Sequence, residues 1–161
     1  FHMKKSLYLI SILSVIFLTG CGTTAITQDM PLDTTGTPQY ALVSFFDALS
    51  TGQFENAVEF FDFEGHGEWV YSSSDDPAQI LEDYCAATGT CLRAEVLATN
   101  EVNGDEYTLT VQFFNSDGSI YIAGPCCGAT EEEMPSQDTF EFTVKKIDGV
   151  FKVTTAPLYR P

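Results

Sequence analysis

Basic side chains are scarce. The 161 residues include seven Lys and Arg against 23 Asp and Glu, a formal charge of −16. Two of the seven are Lys4 and Lys5, so the chain after residue 20 sets five basic against 23 acidic residues, a net charge of −18. Such a surface repels phosphate backbones, which excludes nucleic acid as a partner. It repels anionic headgroups for the same reason, so the polypeptide itself stands off a membrane surface. Histidine is nearly absent, with His2 and His66 alone, so a multi-histidine metal centre is excluded, and no metal or cofactor is expected. No G-x-S-x-G, H-E-x-x-H or glycine-rich phosphate loop is present. The longest apolar run, Leu7 to Leu18, is about 12 residues, short of the roughly 20 that a membrane span needs. No internal repeat, heptad pattern or low-complexity tract interrupts the rest.

That short apolar run is informative because of its flanks. Lys4-Lys5 precede it and Leu18-Thr19-Gly20-Cys21 close it, the positive, apolar and small-residue order of a secretory signal peptide. Its end resembles the lipobox of bacterial lipoproteins, Leu-x-Gly-Cys, at every position. The resemblance implies that Cys21 becomes the acylated first residue of the mature protein, held to the cell membrane by lipid on the periplasmic or outer side. Two acyl chains anchor stably where one is marginal. An uncleaved N-terminal helix is the competing reading. Phe1 and His2 precede Met3 and read as a cloning scar. The expected organisation is therefore scar and leader over 1–20, lipidated Cys21 and a Thr-, Gly- and Pro-containing tether over 21–37, and a single domain over 38–161.

Within that domain, helical spacing comes first. Thr37-Pro38 supplies a cap and a first-turn proline, followed by Ala41, Leu42, Phe45, Phe46 and Leu49 on one face, with Gly52 as the stop. A second helix is predicted from Gln53, with Phe54, Ala57, Val58 and Phe61 inward. Gly65-His66-Gly67 breaks the pattern. Asp75-Asp76-Pro77 starts a third helix, with Ile80, Leu81, Tyr84 and Cys85 inward and Gly89 beyond its end.

From Leu92 the period becomes two. Leu92, Ala94, Val96 and Ala98 are expected inward, with Arg93, Glu95 and Thr99 outward. Tyr107, Leu109, Val111 and Phe113 follow, then Ile120-Tyr121-Ile122, Phe140-Phe142-Val144 and Phe151-Val153. Asn103-Gly104, Asp117-Gly118 and Asp148-Gly149 are the turn signals. Helices followed by antiparallel hairpins define an α+β fold class.

The run Thr37-Pro38 through Phe45-Phe46-Asp47-Ala48-Leu49 and Gly52 to Ala57 resembles the opening of nuclear transport factor 2-like domains. Residues 144–153 resemble their closing hairpin. The resemblance spans roughly residues 37–156, with the middle matched by element order alone. It implies N-terminal helices on a curved antiparallel sheet, a cystatin-like cone that often keeps a pocket. Family members include isomerases and dehydratases beside proteins that only bind or dimerise, so fold does not fix function.

Four cysteines remain after Cys21: Cys85, Cys91, Cys126 and Cys127. An even count in an exported domain points to two disulfides. The preferred pairing ties the Cys85–Cys91 corner to Cys126-Cys127, because adjacent cysteines are awkward to join. Bridges within each pair, the second strained and redox-active, and a four-thiolate zinc site are the alternatives. Asp62 and His66 are the weak candidates for an acid–base pair, though a glycine-flanked histidine is ordinarily a loop residue. Trp69, Tyr71, Phe113 and Tyr121 are candidate pocket residues, with ordinary core packing as the competing role. Glu131-Glu132-Glu133 lacks the alternating oxygen ligands of a calcium loop. The functional expectation is a lipid-anchored, non-catalytic domain binding a small apolar ligand or an envelope protein. A small isomerase- or dehydratase-type enzyme using Asp62 and His66, and a homodimerising module, are the alternatives.

Overall fold

The computed structural model describes residues 36–64 and 72–157. Three helices come first, α1 (Pro38–Ser50), α2 (Phe54–Val58) and α3 (Pro77–Thr88), and four strands follow, β1 (Arg93–Asn103), β2 (Glu106–Phe114), β3 (Phe140–Ile147) and β4 (Val150–Val153). The strands form one antiparallel sheet in sequence order, β1-β2-β3-β4. This is the α+β class that the change of period predicts.

α1 begins and ends as its sequence requires. Tyr40 N–H donates to Thr37 Oγ1 at 3.2 Å, satisfying one of the free first-turn donors, and Pro38 occupies the turn where a missing N–H does no harm. At the other end Gln53 N–H reaches Ala48 O (2.8 Å) and Gly52 N–H reaches Leu49 O (3.2 Å), with Gly52 at φ 71°. That pair of bonds is a Schellman closure, and it needs a left-handed residue at the glycine. Ala41, Leu42, Phe45, Phe46 and Leu49 are all buried. α1 is the helix that lies on the sheet, against β1, β3 and β4, while α2 and α3 pack beside it. α3 is capped by Asp76, whose Oδ1 accepts from Ala78 N–H at 3.1 Å, and stops at Gly89, whose N–H donates to Cys85 O at 2.9 Å. Leu81 and Tyr84 are buried, whereas Ile80 and Cys85 are half-buried.

Four local expectations are corrected. α2 is only five residues long. Beyond it Val153 N–H donates to Phe60 O (2.7 Å) and Asp62 N–H to Val153 O (3.0 Å), so Phe61 runs as a parallel bridge on the outer edge of β4. The free backbone groups of an edge strand draw in this chain, and they prevail over the helical spacing. In β1 the register shifts between Val96 and Ala98 and again between Glu101 and Asn103. One extra residue reverses every later side chain, so Ala98 turns outward and Thr99 inward. Leu97 and Val102, at the two irregularities, are 53% and 59% exposed. Residues 120–122 are not a strand; Ile120 makes an isolated bridge to Phe114, and Ala123 another to Gln137. The first hairpin turns on Gly104-Asp105, with Asn103 still paired to Glu106.

The core is one cluster shared by helices and sheet, and it is aromatic. Phe46 sits at its centre, with ring centroids of Phe45, Phe113 and Phe142 at 5.1, 4.9 and 5.1 Å. Phe61 stacks on Phe45 at 5.1 Å. Edge-to-face packing of this kind adds to the burial of each ring.

Candidate functional site

The two described aromatic candidates, Phe113 and Tyr121, are core residues. Phe113 is completely buried against Phe46, Phe140 and Phe142. Tyr121 is 4% exposed and packs on Phe140 with centroids 6.1 Å apart. Their rings fill the space between α1 and the sheet, because the inward positions of β2 and β3 carry large side chains that interdigitate with Phe45 and Phe46. Trp69, Tyr71, His66 and Cys21 lie outside the described residues.

A cavity of about 520 Å³ occurs elsewhere, at the start of β3. Gln137, Thr139 and Glu141 meet Phe140, Phe142 and Pro157 there, in a wide depression of mixed polarity. It contains none of the sequence-derived candidates. Asp62, the described half of the proposed acid–base pair, accepts Glu64 N–H on Oδ1 at 3.2 Å. That bond caps a local turn of the chain.

Acidic groups elsewhere are likewise engaged in local structure. Asp83 accepts the Ser72 hydroxyl (2.7 Å) and Gln79 Nε2 (2.9 Å), and these bonds, Ser72's first, hold its carboxyl below the ordinary value. Asp117 is held low by the Ser119 hydroxyl and then by the Ser119 N–H. Glu133 is lowered by Thr130, first through its N–H at 2.9 Å and then through its hydroxyl at 3.0 Å. Glu131 accepts Ser136 N–H (2.6 Å) and Oγ (2.9 Å). The Glu131–Glu133 cluster therefore folds its own loop. Among the described residues no group of three or more His, Cys, Asp or Glu is placed to hold a metal ion, and no helix is long and apolar enough to cross a membrane.

The sheet surface opposite α1 has a different character. Strand register places Arg93, Glu95, Ala98 and Asn100 on it from β1, Glu106 through Phe114 at alternate positions from β2, Glu141, Thr143 and Lys145 from β3, and Lys152 from β4. Its centre is threonine: Thr108 pairs with Thr143, and Thr110 lies between Ala98 and Glu141. Arg93 lies over the Phe114 ring at 4.5 Å, and Lys145 Nζ stands 3.5 Å from Glu106 Oε2. Four basic residues are described, and three of them, Arg93, Lys145 and Lys152, point to this face; the fourth, Lys146, sits over Phe151. Against them stand Glu95, Glu106 and Glu141. The face is thus balanced in charge on a strongly acidic body. Alternation of two along Arg93–Glu95 and Thr108–Gln112 carries that signal in the sequence.

The cysteines pair locally. Cys85, in the last turns of α3, is bridged to Cys91, with Cα atoms 5.3 Å apart. Gly89 turns the chain back on the helix end and brings residue 91 within disulfide reach. The preferred pairing to Cys126-Cys127 is therefore not formed, and the bridge ties α3 to its own exit loop and not to the sheet. Cys126 and Cys127 are both thiols, the first half-buried and the second exposed. α3 is held to the C-terminal segment by Tyr84, whose hydroxyl donates to Pro157 O at 2.6 Å.

The sequence matches no protein-family profile and no curated protein. Among solved structures, the chain is similar to a putative calcium/calmodulin dependent protein kinase II association domain from Xanthomonas campestris. The two share 12% identity at a TM-score of 0.38, over 71% of this chain and 78% of that one.

Proposed function

We propose that this chain is a lipid-anchored, extracytoplasmic domain of the nuclear transport factor 2-like type, non-catalytic, that pairs with a second copy of itself through the open face of its sheet. The observation that carries the reading is the charge balance of that face. Two bodies of strong like charge repel on approach, and a balanced patch is where they meet without that opposition. Arg93 stands beside Glu95 on β1 and Lys145 pairs with Glu106 at the other end of the face, with threonines between, so each copy offers both signs of charge to its partner. Among the described residues Phe113 and Tyr121 are spent on core packing, which favours a protein partner over a small apolar ligand held by them. The anchor rests on the Leu18–Cys21 motif and its leader.

Sedimentation equilibrium of the chain lacking residues 1–21 tests the pairing. A dimer at micromolar concentration is expected, and Thr110→Glu, which adds charge at the centre of the face, should yield a folded monomer. A parent that stays monomeric, or a variant that still dimerises, overturns the pairing. The anchor is tested separately by expressing Cys21→Ala in bacteria: release from the membrane fraction is expected, and unchanged membrane association removes lipid from the account.

A further inference from the structure

Between β2 and β3 the chain passes through Cys126-Cys127-Gly128-Ala129. Ala129 N–H donates to Cys126 O at 2.9 Å, and the two central residues have φ of 59° and 88°. Two successive left-handed residues under such a bond mark a turn of the type I′ kind, whose positions favour Gly, Asn and Asp. Cys127 instead places a Cβ in a region that L residues avoid, and a side chain held there is a pointer to function. The turn presents two thiols on adjacent residues, Cys126 half-buried and Cys127 exposed. Cys85 and Cys91 satisfy each other, so among the described cysteines these two thiols have only one another.

We propose that Cys126 and Cys127 form a reversible vicinal dithiol site that exchanges two electrons with disulfides, either a low-molecular-weight one or that of a thiol–disulfide oxidoreductase. The exposed Cys127 sulfur, as thiolate, attacks one sulfur of the reagent disulfide. The reagent bond breaks, one thiol leaves with a proton, and a mixed disulfide remains on Cys127. Cys126 then gives up its proton and attacks the Cys127 sulfur, a bond forms between the two cysteines, and the second reagent thiol departs. Two cysteine thiols are oxidised and one reagent disulfide is reduced to two thiols, so protons and electrons balance. The order follows exposure, and it agrees with the Cys126 thiol being held above its ordinary value by the neighbouring Cys127 and, secondarily, by partial withdrawal from water. Neighbouring Cα atoms stand about 3.8 Å apart, inside the roughly 4.4 Å at which unstrained bridges begin. The closed ring is strained, and strained, exposed bridges are the readily reduced ones. The Cys85–Cys91 bridge has no such constraint and stays closed under the same conditions.

The test is equilibration of the full chain in glutathione buffers of graded ratio, acid quenching, alkylation after unfolding, and tryptic digestion. Cleavage after Arg93 and Lys145 yields a fragment, residues 94–145, that holds Cys126 and Cys127 and neither Cys85 nor Cys91. This fragment should pass directly between a doubly alkylated form and an unalkylated form lighter by two hydrogens, at ratios where Cys85 and Cys91 remain unlabelled. Phenylarsine oxide should bind the reduced chain one to one and fail to bind Cys127→Gly, a change suited to the local φ. Overturning results are double alkylation at every ratio, a stable glutathione adduct, a bridge to a second chain, or unchanged arsenical binding in a folded Cys127→Gly.

Discussion

Phe61 and Val153 run side by side as a parallel bridge. Val153 uses both its backbone groups on this neighbour, donating to Phe60 O at 2.7 Å and accepting from Asp62 N–H at 3.0 Å. The outer edge of β4 is therefore closed by a segment from the helical layer. The Phe61 ring is anchored at the same point, 1% exposed and stacked on Phe45. One residue thus joins edge protection to core packing.

Phe61→Ala should destabilise the fold by about 3–5 kcal/mol, the range for removing a fully buried phenylalanine. Denaturant unfolding followed by tyrosine fluorescence reads this as a fall in midpoint. A loss below about 1 kcal/mol would place the ring outside the core.

Gly52→Ala isolates a backbone effect. A Cβ built at Gly52 meets nothing within 4 Å, yet φ is 71°. The expected loss is about 1 kcal/mol, from left-handed strain alone. Thermal unfolding measures it, and a neutral or stabilising result would contradict the Schellman closure of α1.

Replacing both Cys85 and Cys91 by serine opens a bridge across six residues of sequence. Loop-closure entropy for so short a ring amounts to about 2 kcal/mol. α3 should stay in place, because Leu81 and Tyr84 remain buried and Tyr84 still donates to Pro157 O. The midpoint of urea unfolding should fall by that amount, with helical circular dichroism unchanged; loss of helix would give the bridge a larger role.

Asp83 should titrate below an ordinary aspartate. Its charged form is favoured in the folded state, first by Ser72 and then by Gln79. The stability from this depressed carboxyl is fully present above the unfolded value of about 3.9 and is lost as pH falls through the lower folded value. Carboxyl-carbon NMR should find the midpoint low in the parent and returned toward the ordinary value in Ser72→Ala. Coincident midpoints would remove the hydrogen bond from the explanation.

The sequence by itself determined the parts whose causes are local. Thr37-Pro38 and Asp76-Pro77 start helices because a cap and a proline act within one turn, and Gly52 and Gly89 end them for the same reason. The inward rows of β2, β3 and β4 were legible because alternation needs no knowledge of the partner strand. Only tertiary structure decided the rest. Phe60 to Asp62 left its helical spacing because β4 offered unpaired backbone groups that lie far away in sequence. Thr99 turned inward because a bulge at Leu97 moved the register, and bulges leave no periodic trace. Phe113 and Tyr121 became core because Phe46 and Phe140 occupied the space a pocket would need. Cys85 chose Cys91 because the Gly89 turn set their Cα atoms 5.3 Å apart, and distance in space selects a disulfide partner where counting cysteines cannot.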